Sequence, residues 1–352
     1  MPLSPLPSRP RIAAVLLVAA TILAACGGGG DDPEPTTTLP TTTTTTAPPP
    51  PAPLTGLPEP DDERRERPAL VLKVDNHDQN ARPQAGLNQA DVVFEEQVEG
   101  GVTRLAAVFQ SEDADRVGPI RSGRTTDIDI VTMLNRPLFG FSGANAPTLQ
   151  AILASPIVDV RWDARPDDYR RDRDRPAPHH LFTSTAALYE AAPDDAQPPP
   201  SLFQYVTEIQ GVQGDRVESF RVSFGSGYFS TWTWDDRNGV WERAQIDRPH
   251  VDEDGEQIAV PNVIVQLVQY GSRFGNPEAE LVGEGDVWVF TRGEVIKGRW
   301  RRASAGEVTR YLDDTGADIL LTAGRTWVEL PSVGRLPEID YGAAGTAGAD
   351  AD

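Results

Sequence analysis

The segment Gly118-Pro119-Ile120-Arg121-Ser122-Gly123-Arg124 concentrates groups that bind anions. Each arginine can grip a carboxylate or phosphate through parallel N–H donors. The glycine between them would let a ligand approach the backbone. A helix starting just after it would aim unpaired N–H groups at the same point. Arg121, Ser122, Gly123 and Arg124 are therefore candidate contacts for an acidic or phosphorylated ligand. An internal alternative stands beside this one: Arg121 or Arg124 pairs with Glu95, Glu96 or Glu99 and locks a hairpin to the helix.

Acid–base chemistry at that segment would need carboxylates and imidazoles. Asp75, Glu96 and His179 are the candidates for catalysis or ligand contact. A pair such as Glu95 with Asp75 could act on a glycosidic bond. Glu95 and Glu96 are neighbours in a strand-like run, however, and must face opposite sides, so only one can enter a given site. A solvated face, or salt bridges to Arg104, is the plainer use of these glutamates. His179 follows Pro178, which stiffens its loop, and could serve as a base or hydrogen-bond donor. The histidines are His77, His179, His180 and His250. His77, Asp75 and His179 have the chemistry to hold zinc, but no His-x-x-x-His or His-Glu-x-x-His spacing supports it. No metal and no other cofactor is expected. Ser122 and Ser142 lack the Gly-x-Ser-x-Gly setting of an activated nucleophile. The run Asp252-Glu253-Asp254-Gly255-Glu256 lacks the ligand spacing of a calcium loop and reads as a turn.

A mixed fold must position these residues. Residues 69–75 read as a buried strand, and 91–98 with 102–110 as a hairpin turning at Gly100-Gly101. Ile128, Val131 and Leu134 recur at helical spacing, with Thr125 or Thr126 as the cap. A strand follows at 138–142, then a helix at 147–154 capped by Asn145, a strand at 157–162 and a helix near 185–192. Residues 161–175 interleave six arginines with five aspartates and read as a self-paired loop. After Pro198-Pro199-Pro200 the texture changes to short β-like runs: 217–224, 228–234, 239–243, 258–270, 286–291, 294–302, 307–312, 317–321 and 325–330. The fold class is α+β, with an N-terminal mixed α/β domain at 55–200 and a β-rich, meander or barrel-like domain at 201–335. Six of the seven tryptophans fall in the second half, where core and cross-strand pairing is their expected role.

The N-terminus has the three parts of a secretory signal. Arg9 and Arg11 precede an apolar run, Ile12 to Leu23, which is short of the ~20 residues that span a bilayer. Leu23-Ala24-Ala25-Cys26 resembles the lipobox of bacterial lipoproteins, which implies lipid attachment at Cys26 and cleavage just before it. Cys26 is the sole cysteine, so no intrachain disulfide can form. Residues 1–25 are thus expected to be a signal peptide. Residues 26–54, glycines and then a Thr/Pro tract, read as a disordered stalk, and 336–352 as a disordered tail. The formal charge is −21. Removal of the signal takes away Arg9 and Arg11 and makes the chain still more acidic. That argues against nucleic acid and against broad adhesion to anionic lipid.

Several motifs lie in a familiar order. They are Pro53-Leu54-Thr55-Gly56, Val74-Asp75-Asn76, Glu95-Glu96, Glu99-Gly100-Gly101-Val102-Thr103-Arg104, the Gly118–Arg124 segment and Ala177-Pro178-His179. In the second half come Asn262-Val263-Ile264-Val265-Gln266, Gly293-Glu294-Val295-Ile296-Lys297-Gly298-Arg299-Trp300 and Gly324-Arg325-Thr326-Trp327. This set resembles the YerB-like family of bacterial lipoproteins over most of 53–331. The resemblance implies two adjoining domains and supplies no catalytic residues. His180 stands where that family usually has Asn. The combined expectation is a lipoprotein held to the cell membrane through Cys26 and facing the extracytoplasmic side. It would bind an acidic polymer, a glycan or an envelope protein. The alternative is a hydrolase or transferase acting on a cell-wall component through the N-terminal domain.

Overall fold

Continuous apolar runs bury both faces of the strands they form. The computed structural model describes residues 48–77, 79–206, 214–225 and 227–342. Leu70–Asn76 forms β1, buried at every position. β2 (Val92–Gln97) and β3 (Thr103–Phe109) follow as a hairpin. Gly100 and Gly101 take φ of 79° and 74° at its turn, a region that favours glycine. β4 (Leu138–Gly140), β5 (Val158–Asp159), β6 (Ser219–Gly225), β7 (Tyr228–Asp235), β8 (Val240–Gln245), β9 (Asn262–Gln266), β10 (Gly283–Thr291), β11 (Glu294–Arg302), β12 (Arg310–Leu312) and β13 (Thr326–Leu330) complete the main strands. The helices are short: α1 (Asp62–Glu66), α2 (Thr126–Thr132), α3 (Ala146–Leu153) and α4 (Thr185–Tyr189). Asn145 caps α3 by accepting from Thr148 N–H at 3.0 Å.

The chain is mostly β, and its C-terminal part is β-rich as expected. One sheet runs through both halves in the order β12-β11-β10-β9-β13-β2-β3-β1-β4-β5. The seam is β13. It pairs in parallel with β2, from Val92↔Thr326 to Glu96↔Leu330, and in parallel with β9 on its other edge. A second sheet is built on β8, β7 and β6 and is extended by Glu338–Asp340. That last strand corrects part of the expected tail: Ile339 packs against the core, so residues 338–340 pair with β6 instead of running free. The expected stalk likewise ends early, because Ala52 and Leu54 are buried. Strand 157–162 shortens to two ladder residues. Val160 and Trp162 still donate to Phe139 O and Phe141 O. The signal, Cys26 and residues 343–352 lie outside the described residues.

Two cores flank the large sheet. One face carries Leu70, Leu72, Val74, Leu105 and Trp327 against Phe220, Val222, Trp232 and Trp241 of the second sheet. The other carries Val71, Phe94, Ala106, Val108 and Val328 beneath Ile130, Val131 and Ile152 of α2 and α3. Each fully buried Val, Leu, Ile or Phe side chain among these contributes about 1.5–3 kcal/mol. The tryptophans behave accordingly: Trp232, Trp241 and Trp327 have no exposure, and Trp234 pairs with Trp241 across β7 and β8.

Charged groups are also sealed between the sheets. Glu95 accepts from Arg243 Nη2 at 2.7 Å, Trp327 Nε1 at 3.1 Å, Thr103 Oγ1 at 2.7 Å and Asn76 Nδ2 at 3.1 Å. His250 links Arg243 to Gln84. Burial, and then the Arg243 guanidinium, hold the His250 imidazole well below its ordinary range. Glu329 lies beside Glu95 in the ladder and accepts from Ser230 Oγ and Trp232 Nε1. Its Oε2 has no partner among the described residues. Burial, reinforced by Glu95 and opposed by Arg243, pushes the Glu329 carboxyl up to about 8. The folded protein therefore holds a proton on Glu329 that the unfolded chain, at the ordinary value of 4.5, releases. This contribution to stability is complete below the unfolded value and is lost as pH rises through about 8. Glu329→Gln keeps both acceptor contacts and removes the titration. Its melting temperature, read against the parent by scanning fluorimetry, should gain steadily between those two pH values. A gap that stays constant, or narrows with rising pH, would contradict this assignment.

Candidate functional site

The Gly118–Arg121 backbone lies along the free end of β1, where β4 no longer pairs. Asp75 N–H donates to Pro119 O at 2.9 Å, and Arg121 N–H donates to Lys73 O at 2.8 Å. Ile120 N–H donates to Leu181 O at 2.7 Å, so the segment is held between β1 and the strand Leu181–Thr183. This placement brings Asp75, Arg121 and His179 together. His179 Nδ1 lies 2.7 Å from Asp75 Oδ2, and His77 N–H donates to Asp75 Oδ1 at 3.1 Å. A carboxylate only accepts, so Nδ1 carries the proton and the ring tautomer is fixed. The His77 and His179 rings have centroids 6.2 Å apart. Among the described residues no group of three or more His, Cys, Asp or Glu is arranged to hold a metal ion.

Three guanidinium groups meet beside this pair. Arg121 Nε lies 2.9 Å from Asp75 Oδ2, close enough for an ion pair. Its N–H is not aimed along that contact and has no hydrogen-bond acceptor among the described residues. Arg104 stands opposite Asp75 in the β1–β3 ladder and opposite Glu96 in the β2–β3 ladder. It donates from Nη1 to Ser122 O at 2.9 Å, and its buried Nε also lacks an acceptor. Burial first, then the Arg124 and Arg121 charges, lower the Arg104 guanidinium to about 10. Arg124 is the most committed of the three. It donates to Glu99 Oε2 from Nη2 at 2.8 Å and from Nε at 3.2 Å, and from Nη1 to Gly123 O at 2.9 Å. The internal pairing considered for it is thus realised with Glu99, at the turn of the β2–β3 hairpin.

The backbone part of the expected anion site is used differently. Arg124 N–H donates to Asp127 Oδ2 at 2.7 Å, so the start of α2 is served by its own first turn. Gly123 is buried, its N–H donates to Gly143 O at 3.0 Å, and a Cβ there would lie 2.8 Å from Ile152 Cδ1. Its missing side chain admits α3, not a ligand. Ser122 contributes its carbonyl to Arg104.

Glu96 is removed from any surface chemistry. Lys73 Nζ lies 2.5 Å from Glu96 Oε1 and 2.8 Å from Asp127 Oδ1, and all three side chains are fully buried. Burial raises the Glu96 carboxyl, Lys73 opposes that, and Asp127 adds to it. Glu95 and Glu96 do face opposite ways, one to each core. Sequence reasoning named Arg104 only as a salt-bridge partner for the glutamates, and missed that the ladder sets it between Asp75 and Glu96, donating to the Ser122 carbonyl of the arginine segment. Its alternation with Ala106 and Val108 on one face of β3 was the available signal. Removing one member of a buried ion cluster leaves uncompensated charge, at a cost of about 3–5 kcal/mol. Lys73→Met should therefore lower the urea midpoint by a corresponding amount, without change in slope. A midpoint equal to the parent's would show that the triad does not hold α2 to the sheet.

Comparison with known proteins matches this architecture. The model described as Protein of unknown function (DUF3048) N-terminal domain matches residues 54–197, and the DUF3048 C-terminal domain matches residues 220–328. The Bacillus subtilis (strain 168) protein named "Putative lipoprotein YerB" is 27% identical over 302 residues, which span 82% of this chain and 87% of that protein. The crystal structure of YerB protein from Bacillus subtilis superposes with a TM-score of 0.73 at 24% identity, covering 82% of this chain and 99% of that one. The chain carries both DUF3048 domains in order and belongs to the YerB-like family.

Proposed function

We propose that the protein is a membrane-anchored, extracytoplasmic module that binds an acidic ligand of the cell envelope, such as an anionic glycan polymer, at the Asp75–Arg121–His179 rim. The observation that carries this reading is the surplus of guanidinium donors. Arg104, Arg121 and Arg124 face the carboxylates of Asp75 and Glu99, and two of their N–H groups have no acceptor among the described residues. A local cationic spot in a chain of charge −21 is selective, because the surrounding field repels anions that do not dock there. Arg121 is the group open to a ligand, and Arg124 is a support fixed to Glu99. A second reading, a hydrolase or transferase, is favoured by one feature. Asp75 orients the His179 imidazole as a carboxylate orients a general base. Glu96 takes no part in either reading.

The lipid anchor at Cys26 completes the proposal. Among the described residues no helix is long and apolar enough to cross a membrane. An acyl group would supply the hold, and the name of the Bacillus subtilis relative agrees with that chemistry.

Two outcomes test these readings. Arg121→Ala should weaken binding of purified anionic wall polymer about tenfold, the scale of one charge-assisted contact. Arg124→Ala should weaken it less, and added salt should weaken the parent. Equal binding by parent and Arg121→Ala would sink the binding reading. Polymer turnover lost in His179→Ala but kept in Arg121→Ala would favour the enzyme. Separately, Cys26→Ala should move the protein from the membrane fraction to the soluble one or stall its processing. Tight membrane retention of a fully processed Cys26→Ala form would refute the anchor.

A further inference from the structure

A cleft of 430 Å³ opens where the loop before β13 meets the segments flanking β2 and β3. Its size falls within the range of small-ligand sites, about 300–1,000 Å³. Asn88, Asp91, Glu112, Glu256, Gly324 and Arg325 are among its walls. None of them belongs to the Asp75–Arg121–His179 rim.

The charges in this cleft are opposite and yet kept apart. Arg325 donates from Nη2 to Ala259 O at 2.9 Å and from Nη1 to Asn88 Oδ1 at 3.5 Å, both neutral acceptors. Among the described residues it makes no ion pair. Burial lowers the Arg325 guanidinium, and Glu112, Asp91 and Glu256 oppose that shift through space. Glu112 and Glu256 are exposed, and neither carboxylate is in an ion pair among the described residues. Asp91 differs from them. It is buried, and its oxygens accept from Ser111 N–H at 2.9 Å and from Ser111 Oγ.

The cationic wall is also preformed. Gly324 has φ of +139°, and a Cβ there would lie 2.6 Å from Pro261 Cγ, so only glycine fits. Its N–H donates to Thr55 O at 2.7 Å. Asn262 Nδ2 donates to Thr322 O at 2.8 Å and to Arg325 O at 3.3 Å. The loop thus holds Arg325 in place without help from a carboxylate.

We propose that this cleft binds a small zwitterion, an α-amino acid or the end of a short peptide, with its carboxylate on Arg325 and its ammonium between Glu112 and Glu256. Opposite charges that share a cleft without pairing are complementary to one ligand that bears both. A simple anion meets the carboxylates, a simple cation meets Arg325, and a neutral sugar leaves all of them without a counter-charge. This site is independent of the acidic-ligand rim.

The test uses the full-length chain in detergent. The standard L-amino acids, D-alanine and dialanine are screened by thermal shift, and the best binder is measured by calorimetry. Blocking its amine by acetylation, or its carboxylate as the amide, should weaken it about tenfold or more. Arg325→Gln should do the same, as should Glu112→Gln combined with Glu256→Gln. The glutamate pair is exposed, so that double variant should keep the parental melting temperature while losing the ligand. Arg121→Ala should bind the zwitterion as the parent does, which separates a failure here from a failure at the rim. The proposal is overturned if nothing in the set binds at millimolar concentration. It is equally overturned if binding ignores these variants and blocked forms, or if inorganic phosphate or N-acetylglucosamine binds the cleft in the zwitterion's place.

Discussion

The insertion of β13 between β9 and β2 is the constraint on which the structure depends. A strand near the C-terminus becomes an interior strand of a sheet begun in the N-terminal half, and it runs parallel to both neighbours. Parallel pairing forces long crossovers, and here the chain between β2 and β13 contains β6, β7 and β8 of the second sheet and the β10–β12 meander. The two family domains are therefore two stretches of sequence sharing one hydrogen-bonded ladder. Neither half closes its own edge. β2 would end as an open strand without β13, a condition that proteins avoid.

The same seam explains the buried charges. Strand alternation sends Glu95 and Glu96 to opposite faces, and each face at that point is sealed by another layer. The α2 side supplies Lys73 and Asp127 for Glu96, and the second sheet supplies Arg243 for Glu95. Glu329 enters beside Glu95 because the β2–β13 register sets them side by side. Two adjacent buried carboxylates and one guanidinium cannot all keep their solution states, and the proton on Glu329 resolves the conflict. These polar clusters are expensive to bury. Their effect is to make the wrong register of β13 still more costly, since a one-residue slip would place Glu329 in the opposite core.

Local pattern made much of this legible. The β1 run, the β2–β3 hairpin with its glycine turn, α3 with its Asn145 cap and the 294–302 strand all follow from periodicity and turn chemistry. What periodicity does not carry is partnership. Nothing in Val92–Gln97 says that its neighbour lies beyond residue 320, and a continuous apolar run reads alike in any interior position. The run 258–270 shows the limit from the other side. It breaks into Ala259–Val260, Asn262–Gln266 and Tyr270–Arg273, three strands of three different sheets, because each stretch meets a different neighbour. At the site, the Gly118–Arg124 motif was legible as arginines near a helix start. Its use of Gly123 for packing and of Asp127 for capping was not, because both depend on where α3 and Lys73 arrive in space.

Those details decide what the motif can do. With the Arg124 N–H taken by Asp127 and the Arg124 guanidinium by Glu99, an anion docking at this segment in the proposed reading would meet Arg121 with Arg104 behind it. Arg104 cannot turn outward, since the β3 ladder fixes it between Asp75 and Glu96. Its charge instead adds to the field at Arg121, which stands beside Asp75 and its partner His179. A cationic group so confined discriminates by geometry more than by attraction. In the proposed reading that would be the more useful property for an acidic chain, because long-range attraction of anions is already cancelled and only a ligand matching the rim would gain from arriving there.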